Sequence, residues 1–183
     1  MRFGEVGKER GFTLLEVMLT AAIVATLAAI ALPTLSSMND ARKLSDAAQQ
    51  VERELQTARL RAVGTNTPLR FRTNCPSAGF FRIVELLGTA SDNTTTRCDL
   101  ASYGWPPADN DLATTPNFDG PLKQLLNSAT VTTTALEFRP DGTAWQVVSG
   151  VATVISAPVS LTVTRNGSTK TITINGLGKI LLQ

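Results

Sequence analysis

The chain reads as an α+β protein: a long N-terminal helix, transmembrane in its first half and amphipathic in its second, packed on an antiparallel β-sheet. Three observations predict this. An apolar run of membrane length, GFTLLEVMLTAAIVATLAAIALPTL, occupies residues 11–35. Apolar residues then recur every three or four positions from Met38 to Ala62, the spacing of one helix face. Beyond Pro68 the pattern changes to short alternating segments separated by Pro-Asp-Gly and Asn-Gly turns, the signature of antiparallel strands. A helix followed by strands, without βαβ alternation, is the α+β order.

The first segment contains one charge, Glu16, in 24 residues from Phe12 to Leu35. As a helix those residues span about 36 Å, more than the ~30 Å hydrocarbon core of a bilayer. A carboxylate inside such a segment is costly unless something neutralises it, and so marks function by default. Phe12 and Glu16 are four residues apart, which on a helix places them on one face. Ahead of the run stands a short leader with Arg2, Lys8 and Arg10; by the positive-inside tendency it stays in the cytoplasm, and everything after Ser36 lies across the membrane. A secretory signal carries its apolar region before the cleavage site. Here the small residue Gly11 precedes that region, so cleavage after it retains the helix. Pro33, near the exit, bends the helix or weakens one turn.

From Met38, Ala41, Leu44, Ala48, Val51, Leu55, Ala58 and Ala62 the pattern predicts helix to about Val63, with Gly64 as C-cap and Pro68 barring continuation. Strands are expected at Leu69–Thr73, Phe80–Leu87, Leu136–Phe138, Trp145–Val148, Val159–Arg165, Thr169–Asn175 and Lys179–Leu182. In the hairpin around Asn166-Gly167, Leu161, Val163, Ile172 and Ile174 alternate with threonines, giving one buried and one wet face. Residues 89–134 are rich in turn formers and read as a variable surface loop region, with Tyr103, Trp105 and Phe118 either anchoring a neighbour or tucking back onto the sheet, and a short helix at Leu122–Asn127. Cys75 and Cys98 bracket 22 residues. Export favours a disulfide between them, contributing roughly 3 kcal/mol by loop closure.

Two stretches resemble a known family. KERGFTLLEV, Lys8 to Val17, resembles the prepilin peptidase site of type IV pilins and type II secretion pseudopilins. FRPDGTA, Phe138 to Ala144, with the terminal glycine turn Gly176 to Gly178, is similar to the C-terminal region of the GspH/FimT group of minor pilins and pseudopilins. The resemblance implies a pilin-like fold and cleavage after Gly11 by prepilin peptidase, which then methylates the new terminus at Phe12. It also implies that Glu16 pairs with the N-terminal amine of a neighbouring subunit. The expected organisation is leader 1–11, membrane half-helix 12–35, amphipathic half-helix 36–64 and a periplasmic β-rich domain 65–183, held in the bacterial inner membrane by a single pass. Pilins of this family often carry a proline at the position of Pro33, which leans toward the pilus system. The implied function is that of a minor pilin in pilus initiation and assembly, with other pilins or pseudopilins and inner-membrane lipid as partners; the alternative is a type II secretion pseudopilin.

Composition bears on other classes. The 183 residues include 17 basic and 15 acidic side chains and no histidine, which removes Ser-His-Asp and Cys-His nucleophile activation and the commonest metal ligand. No enzymatic role, cofactor or metal is expected: Asp109 and Asp111, or Asp92 and Asp99, lack the calcium-loop pattern, and GLGK at Gly176–Lys179 lacks the Walker A spacing. Without the leader 14 basic and 13 acidic side chains remain, which gives no global electrostatic case for nucleic acid. Some relatives in the GspH/FimT group bind DNA through an arginine-bearing C-terminal turn. Here the corresponding cations are Arg165, Lys170 and Lys179, a second alternative as a weak DNA contact in natural transformation.

Overall fold

The computed structural model describes residues 11–105 and 119–183. Among the described residues one α-helix, α1 (Leu14–Thr65), precedes ten strands: β1 (Leu69–Thr73), β2 (Phe80–Glu85), β3 (Lys123–Gln124), β4 (Thr130–Val131), β5 (Ala135–Phe138), β6 (Ala144–Val148), β7 (Val151–Val154), β8 (Val159–Arg165), β9 (Ser168–Ile174) and β10 (Ile180–Leu182). They form two antiparallel sheets rather than the one expected, in spatial order β3-β2-β1-β5-β6-β7 and β10-β9-β8-β4. Pro158, which has no N–H to add to a ladder, stands between β7 and β8 where the chain changes sheets. The chain divides into two compact units between Asn39 and Asp40, inside α1.

In the first unit the helix exposes apolar side chains along its length: Leu14, Leu15, Met18, Val24, Leu27 and Ile30 are all more than 60% accessible. Such a surface suits lipid, where every polar group must be satisfied internally. The hydroxyls of Thr20, Thr26 and Thr34 meet that demand by donating to the carbonyls of Val17, Ile23 and Ile30, at 2.9, 2.8 and 3.2 Å. Pro33 lies within α1 without ending it.

In the second unit α1 buries one stripe, Leu44, Ala47, Ala48, Val51, Leu55, Ala58 and Ala62. Four alanines keep the helix surface low, so the larger side chains of both sheets can close over it. Phe71, Phe81, Leu136 and Phe138 from the six-stranded sheet and Leu161, Val163, Ile172 and Ile174 from the four-stranded sheet join the stripe in one core. Met38 and Ala41, expected in the apolar stripe, are exposed instead. At that level the neighbour of the helix is polar: the Arg165 guanidinium from the end of β8 bonds the Asp40 carboxylate. The end of α1 also differs from expectation. Gly64 is still helical, and the chain turns at Asn66, whose φ is 54°. The Thr67 N–H donates to the Ala62 carbonyl at 3.2 Å, the six-to-one bond of a Schellman motif, with asparagine tolerating the left-handed position.

The six-stranded sheet is covered on its other face by arginines. Alternation along β1 sends Leu69 and Phe71 to the helix side and Arg70 and Arg72 to the other, and the β1–β2 register sets Arg72 opposite Arg82. Like charges so placed repel, yet each guanidinium is committed to the chain that crosses it. Arg82, fully buried, donates to the carbonyls of Gly120, Arg97 and Tyr103 at 2.8, 2.8 and 2.7 Å; burial pulls its pKa below the ordinary arginine value, against the attraction of Asp119. Arg97, also fully buried, forks onto Asp119 at 2.6 and 3.0 Å and reaches Asp92 at 3.1 Å. Asp92 in turn accepts the N–H groups of Leu87, Gly88 and Thr89. The segment after β2 is therefore folded onto the sheet by charge-assisted bonds, and Cys98, disulfide-bonded to Cys75 with Cα atoms 5.1 Å apart, fastens it beside the end of β1.

Within the loop region, Tyr103 stacks under the Arg97 guanidinium, 4.9 Å from its ring centre, so it takes the tucked arrangement. Trp105 is half exposed, and Phe118, Asp109 and Asp111 lie outside the described residues. Leu122–Asn127 is not a helix. Lys123 and Gln124 pair with Phe81 and Phe80 on the open edge of β2, while Asn127 sits at φ 58°, which a helix excludes. Gln50 on α1 secures this alternative through both amide atoms, to the Gln124 carbonyl and the Leu126 N–H.

The FRPDGTA and Gly176–Gly178 segments meet at α1. Arg59 donates through Nε to the Gly142 carbonyl at 3.0 Å and through Nη2 to the Leu177 carbonyl at 3.3 Å. Gly178, at φ 73°, packs so closely that a Cβ would stand 2.3 Å from the Gly142 oxygen and 2.6 Å from Arg59 Nε. Gly178→Ala is therefore expected to cost about 2–4 kcal/mol of domain stability, combining left-handed strain with the clash. Thermal unfolding of the detergent-solubilised chain measures it; an unchanged midpoint would show that the turn yields freely.

Candidate functional site

The N-terminal segment holds the residues with the sharpest sequence expectation. Gly11 and Phe12 are exposed and lie ahead of the helix. A Cβ on Gly11 would meet nothing within 4 Å, so the fold itself places no demand for glycine there. Thr13 begins the helix. Its carbonyl accepts the first intrahelical bond, from Val17, and its Oγ1 accepts the Glu16 N–H at 3.2 Å, which makes it the N-cap.

Phe12 therefore lies outside the helix, and the expected shared helix face with Glu16 is not formed. The N-cap at Thr13 lets the backbone of Phe12 depart from helical geometry. The sequence signal for this N-cap is Thr13-Leu14-Leu15-Glu16, which has the threonine-x-x-glutamate form of a capping box. Glu16 is exposed, and among the described residues no cation is paired with its carboxylate. It stands in the first turn of a helix whose amide dipoles favour a negative charge.

The three cations considered for DNA do not converge. Arg165, at the end of β8, is held by Asp40 and by the Asn127 carbonyl at 2.9 Å. That hydrogen bond from Arg165 holds the Asp40 carboxyl below the usual carboxylate range. The depressed value means the clasp is present above the ordinary carboxylate pKa and is lost as the pH falls through the lowered one. Lys170 sits on the same face of the β8–β9 hairpin, paired with Val163. Lys179 lies past the opposite end of β9, where its N–H donates to the Asn175 side chain. Asp92 and Asp99 are engaged within the protein: Asp92 as above, and Asp99 by the Ala101 N–H and the Ser102 hydroxyl, which lower its pKa. Among the described residues no group of three or more histidine, cysteine or acidic side chains is arranged to hold a metal.

Two family models match the chain. Residues 47–178 match the family described as Type II transport protein GspH, and residues 7–32 match the prokaryotic N-terminal methylation motif. Two solved structures are matched at low identity. One is the type IV minor pilin FimU of Pseudomonas aeruginosa, 15% identical, with a TM-score of 0.49 over 80% of this chain and 92% of that one. The other is the minor pseudopilin EpsH from the type 2 secretion system of Vibrio cholerae, 14% identical, with a TM-score of 0.45 over 77% and 96%. No curated protein sequence matches. The family match covers well over half of the chain, and the methylation motif overlies the capped, apolar helix start described above. The chain therefore belongs to the GspH family of type II transport proteins and carries the prokaryotic N-terminal methylation motif.

Proposed function

We propose that the chain is made as a precursor with leader 1–11, anchored in the bacterial inner membrane by residues 12–35, and cut by prepilin peptidase between Gly11 and Phe12. Methylation at Phe12 follows, and the subunit then enters a pilus or pseudopilus through its helix. Residues 36–64 and 65–183 carry the amphipathic half-helix and the β-rich domain on the periplasmic side. The role is structural rather than enzymatic, and Pro33 supplies local give where the helix leaves the membrane. The observation that carries this reading is Glu16: one carboxylate on an otherwise apolar, internally satisfied helix surface, without a partnered cation among the described residues. In lipid such a group requires an external cation, and the amine created at Phe12 of an adjacent subunit has the right charge.

Glu16→Ala is expected to leave membrane insertion intact and to reduce incorporation into the filament at least several-fold, read by carbonate extraction and by the fraction of the chain in sheared filaments. Undiminished incorporation would contradict the pairing role. Processing gives a separate expectation. Because the fold leaves room around Gly11, Gly11→Ala should still be cleaved and Gly11→Leu should retain the leader, seen as a mass difference on the purified protein; efficient cleavage of the leucine variant would remove the constraint from the peptidase.

The second reading, a pseudopilin of the type II secretion system, is favoured by the family matched over residues 47–178. Deletion separates the two. Loss of surface pili restored by complementation places the chain in the pilus, whereas normal pili with impaired protein secretion place it in the secretion system. A DNA-uptake role has weaker support, since Arg165 is occupied and Lys179 is remote from Lys170.

A further inference from the structure

The far face of the six-stranded sheet carries one guanidinium that its surroundings leave partly unused. Arg70, Arg82 and Arg97 each donate through all three of their side-chain nitrogens. Arg72 donates through Nη1 alone, to the Thr94 carbonyl at 2.7 Å. Among the described residues its Nε and Nη2 have no acceptor and its charge has no ion-pair partner. It is half-buried. Burial first, then the like charges of Arg70 and Arg97, pull its pKa below the ordinary arginine value, with Asp119 acting against them. A cation so placed is costly until an anion meets it.

The space beside it suits one. A cavity of about 260 Å³ is lined by Arg72 with Arg70, Asn93, Thr133 and Gly150 among others, and none of the described lining residues is acidic. Arg70 can only donate, so the Asn93 side-chain atom that it meets at 2.8 Å is the amide oxygen. The Asn93 Nδ2 is thereby left for another acceptor, and it has none among the described residues. Gly150, at φ 81°, brings the β6–β7 turn against this amide, since a Cβ there would stand 3.1 Å from Nδ2. Thr133 Oγ1 accepts from the Asn74 amide at 2.8 Å, which leaves its own proton for a further acceptor. A guanidinium edge, an amide and a hydroxyl, all with protons to give, thus line one cavity. The Nε–Nη2 edge of an arginine is the fork that meets an oxyanion through two parallel bonds. The volume lies below the ~300–1,000 Å³ of pockets that enclose drug-sized ligands, which favours a small ion. The donors come from three separate segments, a spread met better by the four oxygens of a tetrahedral ion than by the two coplanar oxygens of a carboxylate. We propose that Arg72, with Asn93 and Thr133, binds a small tetrahedral oxyanion of the phosphate or sulfate class, which ties β1, the segment after β2 and the segment before β5 together.

Thermal unfolding of the detergent-solubilised full chain tests it, at fixed pH and ionic strength with chloride, phosphate, sulfate or acetate as the varied anion. Phosphate or sulfate should raise the midpoint above that in chloride along a saturating curve, as binding to the folded state requires. General salting-out stabilisation rises without saturating and is common to every variant. Arg72→Gln should abolish the saturating part. Asn93→Asp keeps the oxygen that Arg70 uses and sets a second carboxylate oxygen in place of the free amide. It should raise the midpoint in chloride and abolish the response to phosphate, and it decides the question if Arg72→Gln fails to fold. Arg165→Gln, which removes a cation already neutralised by Asp40, should leave the half-saturating concentration unchanged. Equal phosphate responses in the unsubstituted chain, Arg72→Gln and Asn93→Asp would overturn the site. So would an Arg72→Gln chain that melts lower but keeps the saturating rise, since Arg72 would then be only a structural donor to Thr94. Saturation by acetate alone would overturn the tetrahedral assignment in favour of a carboxylate.

Discussion

The architecture depends on one constraint: a single helix must present two different surfaces in succession. Up to Leu35 its surface is dominated by apolar side chains, and its threonine hydroxyls bond back to its own carbonyls. From Leu44 to Ala62 it is apolar along one stripe only, and that stripe is the surface on which both sheets close. The change is achieved without ending the helix. It is a change of side-chain pattern along one helix, with Pro33 removing a single N–H from the ladder.

Small residues make the second environment work. Ala47, Ala48, Ala58 and Ala62 are fully buried, so the helix surface is low enough for Phe71, Phe81 and Phe138 to pack over it. Polar ties then set the register along its length: Arg165 to Asp40, Gln50 to the β3 segment, Lys123 to Glu54, and Arg59 to the two glycine turns. Apolar contact is tolerant of sliding, whereas hydrogen bonds of defined length are not. The FRPDGTA segment and the glycines near the C-terminus thus have a structural account, as the partners of one helical arginine.

The far face of the six-stranded sheet solves a different problem. Arginines on adjacent strands would leave a sheet face either charged to solvent or buried without compensation. Arg70 and Arg82 from the strands, and Arg97 from the segment that crosses them, are instead saturated by carbonyls and by Glu137, Asp92 and Asp119. Buried ion pairs of this kind contribute little net stability against an apolar alternative, but losing one partner is costly. Their value here is positional, because they hold a segment poor in apolar residues against the sheet, with the Cys75–Cys98 bond at its edge.

Local periodicity and turn chemistry were legible from the chain alone: the membrane-length run, the buried face from Leu44 to Ala62, the Asn166-Gly167 and Pro140-Asp141-Gly142 hairpins, the cysteine pair, and the methylation motif. Each depends on neighbours within a few residues, or on a pattern that repeats. Three-dimensional packing decided what depends on distant partners. The helix ends at Asn66 because Thr67 bonds back to Ala62. Lys123 and Gln124 are strand because β2 offers an open edge and Gln50 a clamp. Segment 86–105 is fixed because arginines from β1 and β2 reach its carbonyls. Arg165 and Lys179, close in sequence terms to one C-terminal region, end on opposite ends of a hairpin, since seven extended residues of β9 carry the chain roughly 20 Å. Hydrophobic spacing reports which face is buried; it does not report what lies against that face, and there the charged groups found their partners.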